Sequence, residues 1–162
     1  MTSEYQSRIQ QFTDYMEQHS LDVAMITSPI HIYFFTGYYS DPHERFLGLL
    51  LDRRAEVVTL FVPSLDVESV KQASFIEQLV PVLDTDDPYQ LLREKIGGKV
   101  DKLGIEKNAI NLIQYEQLQR CAVIGEFVDV APFILSLRLI KSAAELRSSA
   151  RLFPWWSASL LR

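Results

Sequence analysis

The chain has a single cysteine, Cys121, so it can form no internal disulfide and build no thiolate zinc site. Cys121 sits in an apolar-periodic stretch and reads as a small buried hydrophobe. Histidines are few as well. His19, His31 and His43 stand twelve residues apart, too far for a local metal-binding helix face, and the acidic run Asp84-Thr85-Asp86-Asp87 reads as helix capping. No Gly-x-Ser-x-Gly elbow is present, which removes the usual hydrolase nucleophile motif. Gly97-Gly98-Lys99 lacks the other glycine and the Ser/Thr of a phosphate loop and reads as a helix C-terminus. Positive charge is also short: 16 basic against 21 acidic residues give a net charge of -5. No basic stripe offers a field to a nucleic-acid backbone. The first six residues are polar, unlike a signal peptide, and the longest apolar stretches, such as 46–51, are far too short to span a bilayer. The expectation is a cytoplasmic protein with neither nucleic-acid nor membrane partners.

What is present suits a folded domain. The chain has 162 residues, 48% of them apolar and 23% charged, enough apolar surface to offset the entropy of ordering one compact unit. The charge is uneven. Through residue 140 the net charge is -8, whereas 141–162 holds four basic residues and one acid.

Periodicity supplies the elements. Tyr5, Ile9, Phe12 and Met16 mark one face of an amphipathic helix over about 4–19. Residues 21–27 read as a buried strand ended by Ser28-Pro29. The runs 46–51 and 56–62, separated by Asp52-Arg53-Arg54-Ala55, form an antiparallel hairpin. Ser64 is placed as the N-cap of a helix reaching about Ala73. A strand follows over 78–83, then a helix opened by Asp86 or Asp87 with Pro88 and closed at Gly97-Gly98. Residues 100–106 give another strand, and Asn111 with Gln114 resembles a capping box for a helix to about Ala122. A last strand over 127–130 and a helix from Pro132 through Leu139 complete the pattern. Helices alternating with strands around one hairpin imply an α/β fold, a mixed sheet flanked by helices.

One segment is chemically unusual. After the aromatic turn Thr36-Gly37-Tyr38-Tyr39, the residues Asp41, His43, Glu44 and Arg45 follow within five positions around Pro42. A loop holding carboxylate, imidazole and guanidinium together is the set that binds a peptide carboxylate or steadies a proton. It is equally the composition of a solvated polar loop, so both readings stand.

Four stretches in order carry a family resemblance. Ser28-Pro29-Ile30-His31-Ile32-Tyr33-Phe34-Phe35-Thr36-Gly37-Tyr38 resembles the SP-x-NI-x-YLTGY stretch of the creatinase/prolidase/aminopeptidase P family. The loop from Ser40 to Phe46 is similar to that of bacterial Xaa-Pro dipeptidases (prolidases). Leu103-Gly104-Ile105-Glu106 matches the family's hydrophobic-Gly-hydrophobic-Glu strand. Arg138-Leu139-Ile140-Lys141-Ser142-Ala143-Ala144-Glu145-Leu146 matches its R-x-I-K-S-x-x-E-L interdomain junction. The resemblance covers roughly residues 5–146.

It implies an amino-terminal α/β domain, here residues 1–141, which in the family precedes a catalytic domain. That second domain holds two divalent metals, typically manganese or cobalt, through Asp, His and Glu, and hydrolyses the bond before proline. The resemblance also implies a homodimer in which Tyr38, Asp41, His43, Glu44 and Arg45 cap a proline-containing dipeptide in the partner's site. By this reading the chain itself has no catalytic residues, metal ligands or cofactor. Two departures are visible. His31 stands where the family usually has Asn, and residues 142–162 form a junction and atypical tail where the catalytic domain would follow. A stand-alone peptide-binding or partner-docking module, or the same domain of an aminopeptidase P or creatinase, are the alternatives.

Overall fold

The computed structural model describes residues 2–139, so the junction and tail expected at 142–162 lie outside the described residues. Helix α1 (Thr2–Gln18) leads into strand β1 (Val23–Ile26) and helix α2 (Pro29–Thr36). The hairpin β2 (Gly48–Asp52) and β3 (Val57–Pro63) follows, then a 3-10 turn (Ser64–Asp66) and α3 (Val67–Ala73). The chain continues through β4 (Gln78–Val82), α4 (Pro88–Ile96), β5 (Lys99–Ile105), α5 (Leu112–Cys121), β6 (Val123–Asp129) and α6 (Ala131–Leu139). The six strands form one sheet in the order β4-β3-β2-β1-β5-β6, with β2 antiparallel to β1 and β3 and the remaining pairs parallel. This is the mixed α/β sheet read from the sequence.

Strand alternation splits the core into two layers. Ala24, Ile26, Leu49, Leu51, Leu60 and Val62 face a layer with Phe12 and Met16 of α1, Ile32 and Phe35 of α2, and Ile134 of α6. Val23, Met25, Leu50, Phe61, Leu103 and Ile105 face the other, closed by Leu92 and Ile96 of α4 and Leu118 and Cys121 of α5. The helix face read from Phe12 and Met16 is therefore the core face of α1, and Cys121 is buried.

Local chemistry sets several boundaries. Asp87 caps α4 by accepting from the Tyr89 N–H at 2.9 Å, while Asp86 accepts from the Leu83 N–H. Asn111 and Gln114 exchange both bonds of a capping box at α5. Two expectations change. Ser64 is not a helix N-cap: it opens the 3-10 turn and α3 begins at Val67, with no side-chain cap at either start. The last strand is longer than 127–130, because β6 pairs along β5 from Val123.

At the hairpin turn, Asp52 accepts from the Arg54 Nε at 3.0 Å and from its Nη2 at 2.6 Å. Arg54 also donates to the carbonyls of Ile96 and Lys99, tying the turn to the α4–β5 connection. Burial acts to raise the Asp52 carboxyl, but the hydrogen bonds and charge of Arg54 outweigh it and hold it below its ordinary 3.8. A group depressed on folding contributes stability that is full above its unfolded value and is lost as pH falls through its folded value. Stability should therefore decline as pH drops below about 4. Asp52→Asn should flatten that acid limb in denaturant titrations run at several pH values; an unchanged limb would remove Asp52 from the account.

Candidate functional site: an anchored loop and the motif corner beneath it

Helix α2 positions the charged loop. Pro29 occupies its first turn, where a missing N–H costs nothing. Gly37 ends it at φ 78°, donating its N–H to Tyr33 O at 2.8 Å. The site is close-packed: a Cβ there would lie 2.8 Å from the Tyr5 ring and 3.1 Å from Ala73 O, so only glycine fits.

Beyond Gly37 the five loop residues singled out in the sequence separate. Tyr38 is 5% exposed and points inward, its hydroxyl donating to Asp66 Oδ2 at 2.9 Å. Burial pushes this phenol above its ordinary value; the Ser40 hydrogen bond opposes that and the Asp66 carboxylate adds to it. It stays protonated, as a donor must. Ser40 Oγ joins the same carboxylate oxygen at 3.3 Å. At the other end Arg45 makes a two-pronged contact with Asp84, Nε to Oδ1 at 2.9 Å and Nη2 to Oδ2 at 3.2 Å. Between these anchors Asp41 and His43 project outward, with side chains 69% and 84% exposed and the imidazole 3.9 Å from the carboxylate. His43 adopts φ 52°, uncommon for a non-glycine residue, with its N–H on Asp41 Oδ1 at 3.4 Å. Glu44 is exposed.

Arg45, His43 and Glu44 line a cleft of about 890 Å³ at the carboxyl ends of β3 and β4, walled by Phe46, Val82 and Tyr89. Tyr38 and Asp41 are not among its lining residues. Burial, with the Cys121 and Asp87 groups nearby, pushes the Tyr89 phenol up to about 12, so it presents a neutral wall.

Below α2 the other motif residues meet. Glu106, just past β5, is fully buried. Its Oε2 accepts from the N–H groups of Thr27 at 2.8 Å and Ser28 at 2.9 Å, and its Oε1 meets His31 Nδ1. Arg138, in the last turn of α6, donates to His31 Nε2 at 3.0 Å. That assigns the tautomer: Nε2 carries the lone pair, so the proton sits on Nδ1 and is donated to Glu106. His31 is 4% exposed. The residue that departs from the family pattern is thus the link between β5, α2 and α6. The motif matches had pointed to Glu106 and Arg138, but nothing in the sequence paired them through His31.

Among the described residues no group of three or more His, Cys, Asp and Glu side chains could hold a metal ion. His31 and Glu106 face each other and Asp84 faces Arg45. These residues do not fit a dinuclear centre. No helix among the described residues is long and apolar enough to cross a membrane.

The model of the creatinase/prolidase N-terminal domain matches residues 8–140. An uncharacterised peptidase of Staphylococcus aureus strain bovine RF122 / ET3-1 is 37% identical over 140 residues, covering 86% of this chain and 38% of the relative. The chain thus spans less than two fifths of the curated relatives it matches. A proline dipeptidase structure from Streptococcus pneumoniae TIGR4 superposes with a TM-score of 0.75 at 33% identity, over 82% of this chain and 97% of that one. The prolidase of Pyrococcus furiosus gives 0.66 at 26% identity, over 83% of this chain and 36% of that one. The fold, the four ordered motifs and the matched model agree: the chain belongs to the creatinase/prolidase N-terminal domain family.

Proposed function

We propose that this domain is the non-catalytic amino-terminal part of an Xaa-Pro dipeptidase-type metallopeptidase, cytoplasmic and homodimeric. Its loop 38–45 caps the proline-containing dipeptide held by a partner's catalytic part. Two divalent metals, manganese or cobalt, belong to that catalytic part. The observation that carries the reading is the build of the loop. Both ends are fixed, by Tyr38 on Asp66 and Arg45 on Asp84, while Asp41, His43 and Glu44 stand outward with no buried partner to satisfy. Tyr38 and Arg45 then act as stem and buttress, and the contact with peptide falls to His43 and Glu44. Fixing a loop in its binding geometry lowers the entropy lost on contact.

A chimera tests this. Residues 1–139 are joined to the remaining part of the Staphylococcus aureus relative and assayed for Xaa-Pro hydrolysis with manganese. His43→Ala and Glu44→Ala should each lower kcat/KM roughly tenfold, equivalent to about 1.4 kcal/mol of lost transition-state contact. Full activity in both variants would remove the loop from the substrate site.

A further inference from the structure

A buried histidine joins the start of α2 to the end of α6. Two side chains face the His31 ring from the elements packed against it: the Glu106 carboxyl from just past β5 and the Arg138 guanidinium from α6. On α2 itself the other titratable residue, Tyr33, is 45% exposed, and Arg8 of α1 reaches α2 further along, at the Phe34 carbonyl. Both nitrogens of the neutral ring are in use. Nδ1–H donates to Glu106, and the Nε2 lone pair accepts from Arg138 Nη1 at 3.0 Å. A second proton has one place to go, Nε2, where it turns the acceptor into a donor. An imidazolium N–H then meets a guanidinium N–H, cation against cation, while the Glu106 contact is kept.

What the contact holds is local. The first turn of α6 is fixed by the Val130 N–H on Ile105 O and the Ala131 N–H on Asp129 Oδ1, and Ile134 is buried in the core. Among the described residues, the last turn has Arg138 as its one side-chain hydrogen bond to another element. Leu139, 83% exposed, adds little burial there. The family match ends at residue 140, so this turn is the edge of the matched domain.

We propose that His31 is a proton-operated latch on the last turn of α6: neutral, it ties Arg138 to α2 and Glu106; doubly protonated, it releases Arg138 and the turn loosens. Histidine is the side chain that changes charge between about pH 5 and 8, above the acid range in which Asp52 acts. NMR hydrogen exchange on the full chain tests the latch, with 15N shifts reading the His31 ring and amides 136–139 reading the turn. Between about pH 8 and 5 the ring should gain its second proton. Protection at 136–139, corrected for intrinsic exchange rates, should then fall roughly tenfold, the size of one lost hydrogen bond to a charged group. Protection in β1 and β5, corrected in the same way, should hold and report an intact fold.

His31→Asn offers a donor and an acceptor without a titrating proton, so protection at 136–139 should no longer change with pH. This variant keeps His19, whose ring lies 4.1 Å from that of Tyr15, itself stacked on Phe133 of α6 at 3.9 Å, and so separates the latch from that route. Arg138→Ala should likewise remove the pH dependence, leaving the turn weakly protected throughout. A ring still singly protonated at pH 5 would overturn the proposal, as would unchanged protection around a doubly protonated ring. So would pH-dependent release that survives in either folded variant.

Discussion

Glu106→Ala is expected to destabilise the domain by about 3–5 kcal/mol, lowering Tm by roughly 10–15 °C. The carboxylate is fully buried and has three donors, the N–H groups of Thr27 and Ser28 and the Nδ1–H of His31. A methyl group in its place leaves all three without an acceptor in a site closed to water, each costing about 1–3 kcal/mol before relaxation. The loss spreads, because His31 also receives Arg138. Glu106→Gln makes a sharper variant. Its amide oxygen can serve the two backbone donors, but its NH2 then faces His31 Nδ1. The proton must move to Nε2, where it opposes the Arg138 donor. Histidine 15N shifts should therefore report the Nδ1–H form in the parent chain and its loss in Glu106→Gln. An effect below about 1 kcal/mol for Glu106→Ala would mean the site is wetter than its burial implies.

Phe35→Ala should cost a comparable 3–5 kcal/mol, roughly, by a different route. Phe35 is fully buried on α2, with ring centroids 5.3 Å from Phe12 and 5.2 Å from Phe34. Removing it deletes apolar transfer energy and leaves a cavity between α1 and α2 that the strands beneath cannot fill. Phe35→Leu, closer in volume, should lose less than about 1.5 kcal/mol. Equilibrium urea unfolding measures both. Equal losses for Ala and Leu would point to ring-specific contacts rather than cavity formation. Because α2 ends in the loop stem at Gly37 and Tyr38, the alanine variant should also speed hydrogen exchange across 36–40.

The sequence was most legible where one physical rule acted alone. The Phe12–Met16 stripe of α1 and the Asn111–Gln114 box each follow from spacing within a few residues, as does the hairpin, although its turn lies at 53–56, one residue later than the 52–55 expected. Helix α2 is absent from the periodic pattern, because Pro-Ile-His-Ile-Tyr-Phe-Phe-Thr is apolar nearly all round and has no wet face to give it a 3.6-residue period. Its boundary marks, Pro29 and Gly37, are equally the marks of a strand end and of a turn. The sequence shows only the end of β6, because Gly125 and Glu126, both exposed on an edge strand, interrupt its apolar run. The candidate loop was found from its charges, yet its supports were not. Asp84 lies 39 residues from Arg45, and Asp66 lies 28 from Tyr38. The Glu106–His31–Arg138 link joins positions 75 and 107 residues apart. Such pairings are set by strand order, with β1 laid beside β5, and not by local spacing.

The proposed function places catalysis in a part of the family's architecture outside the creatinase/prolidase N-terminal domain that matches residues 8–140. Hydrolysis of an Xaa-Pro dipeptide by the purified chain, assayed with added manganese, tests it most directly. The expected result is no turnover above a chain-free control, with the fold confirmed intact by circular dichroism in the same sample. Manganese-dependent hydrolysis that scales with the amount of chain would contradict it.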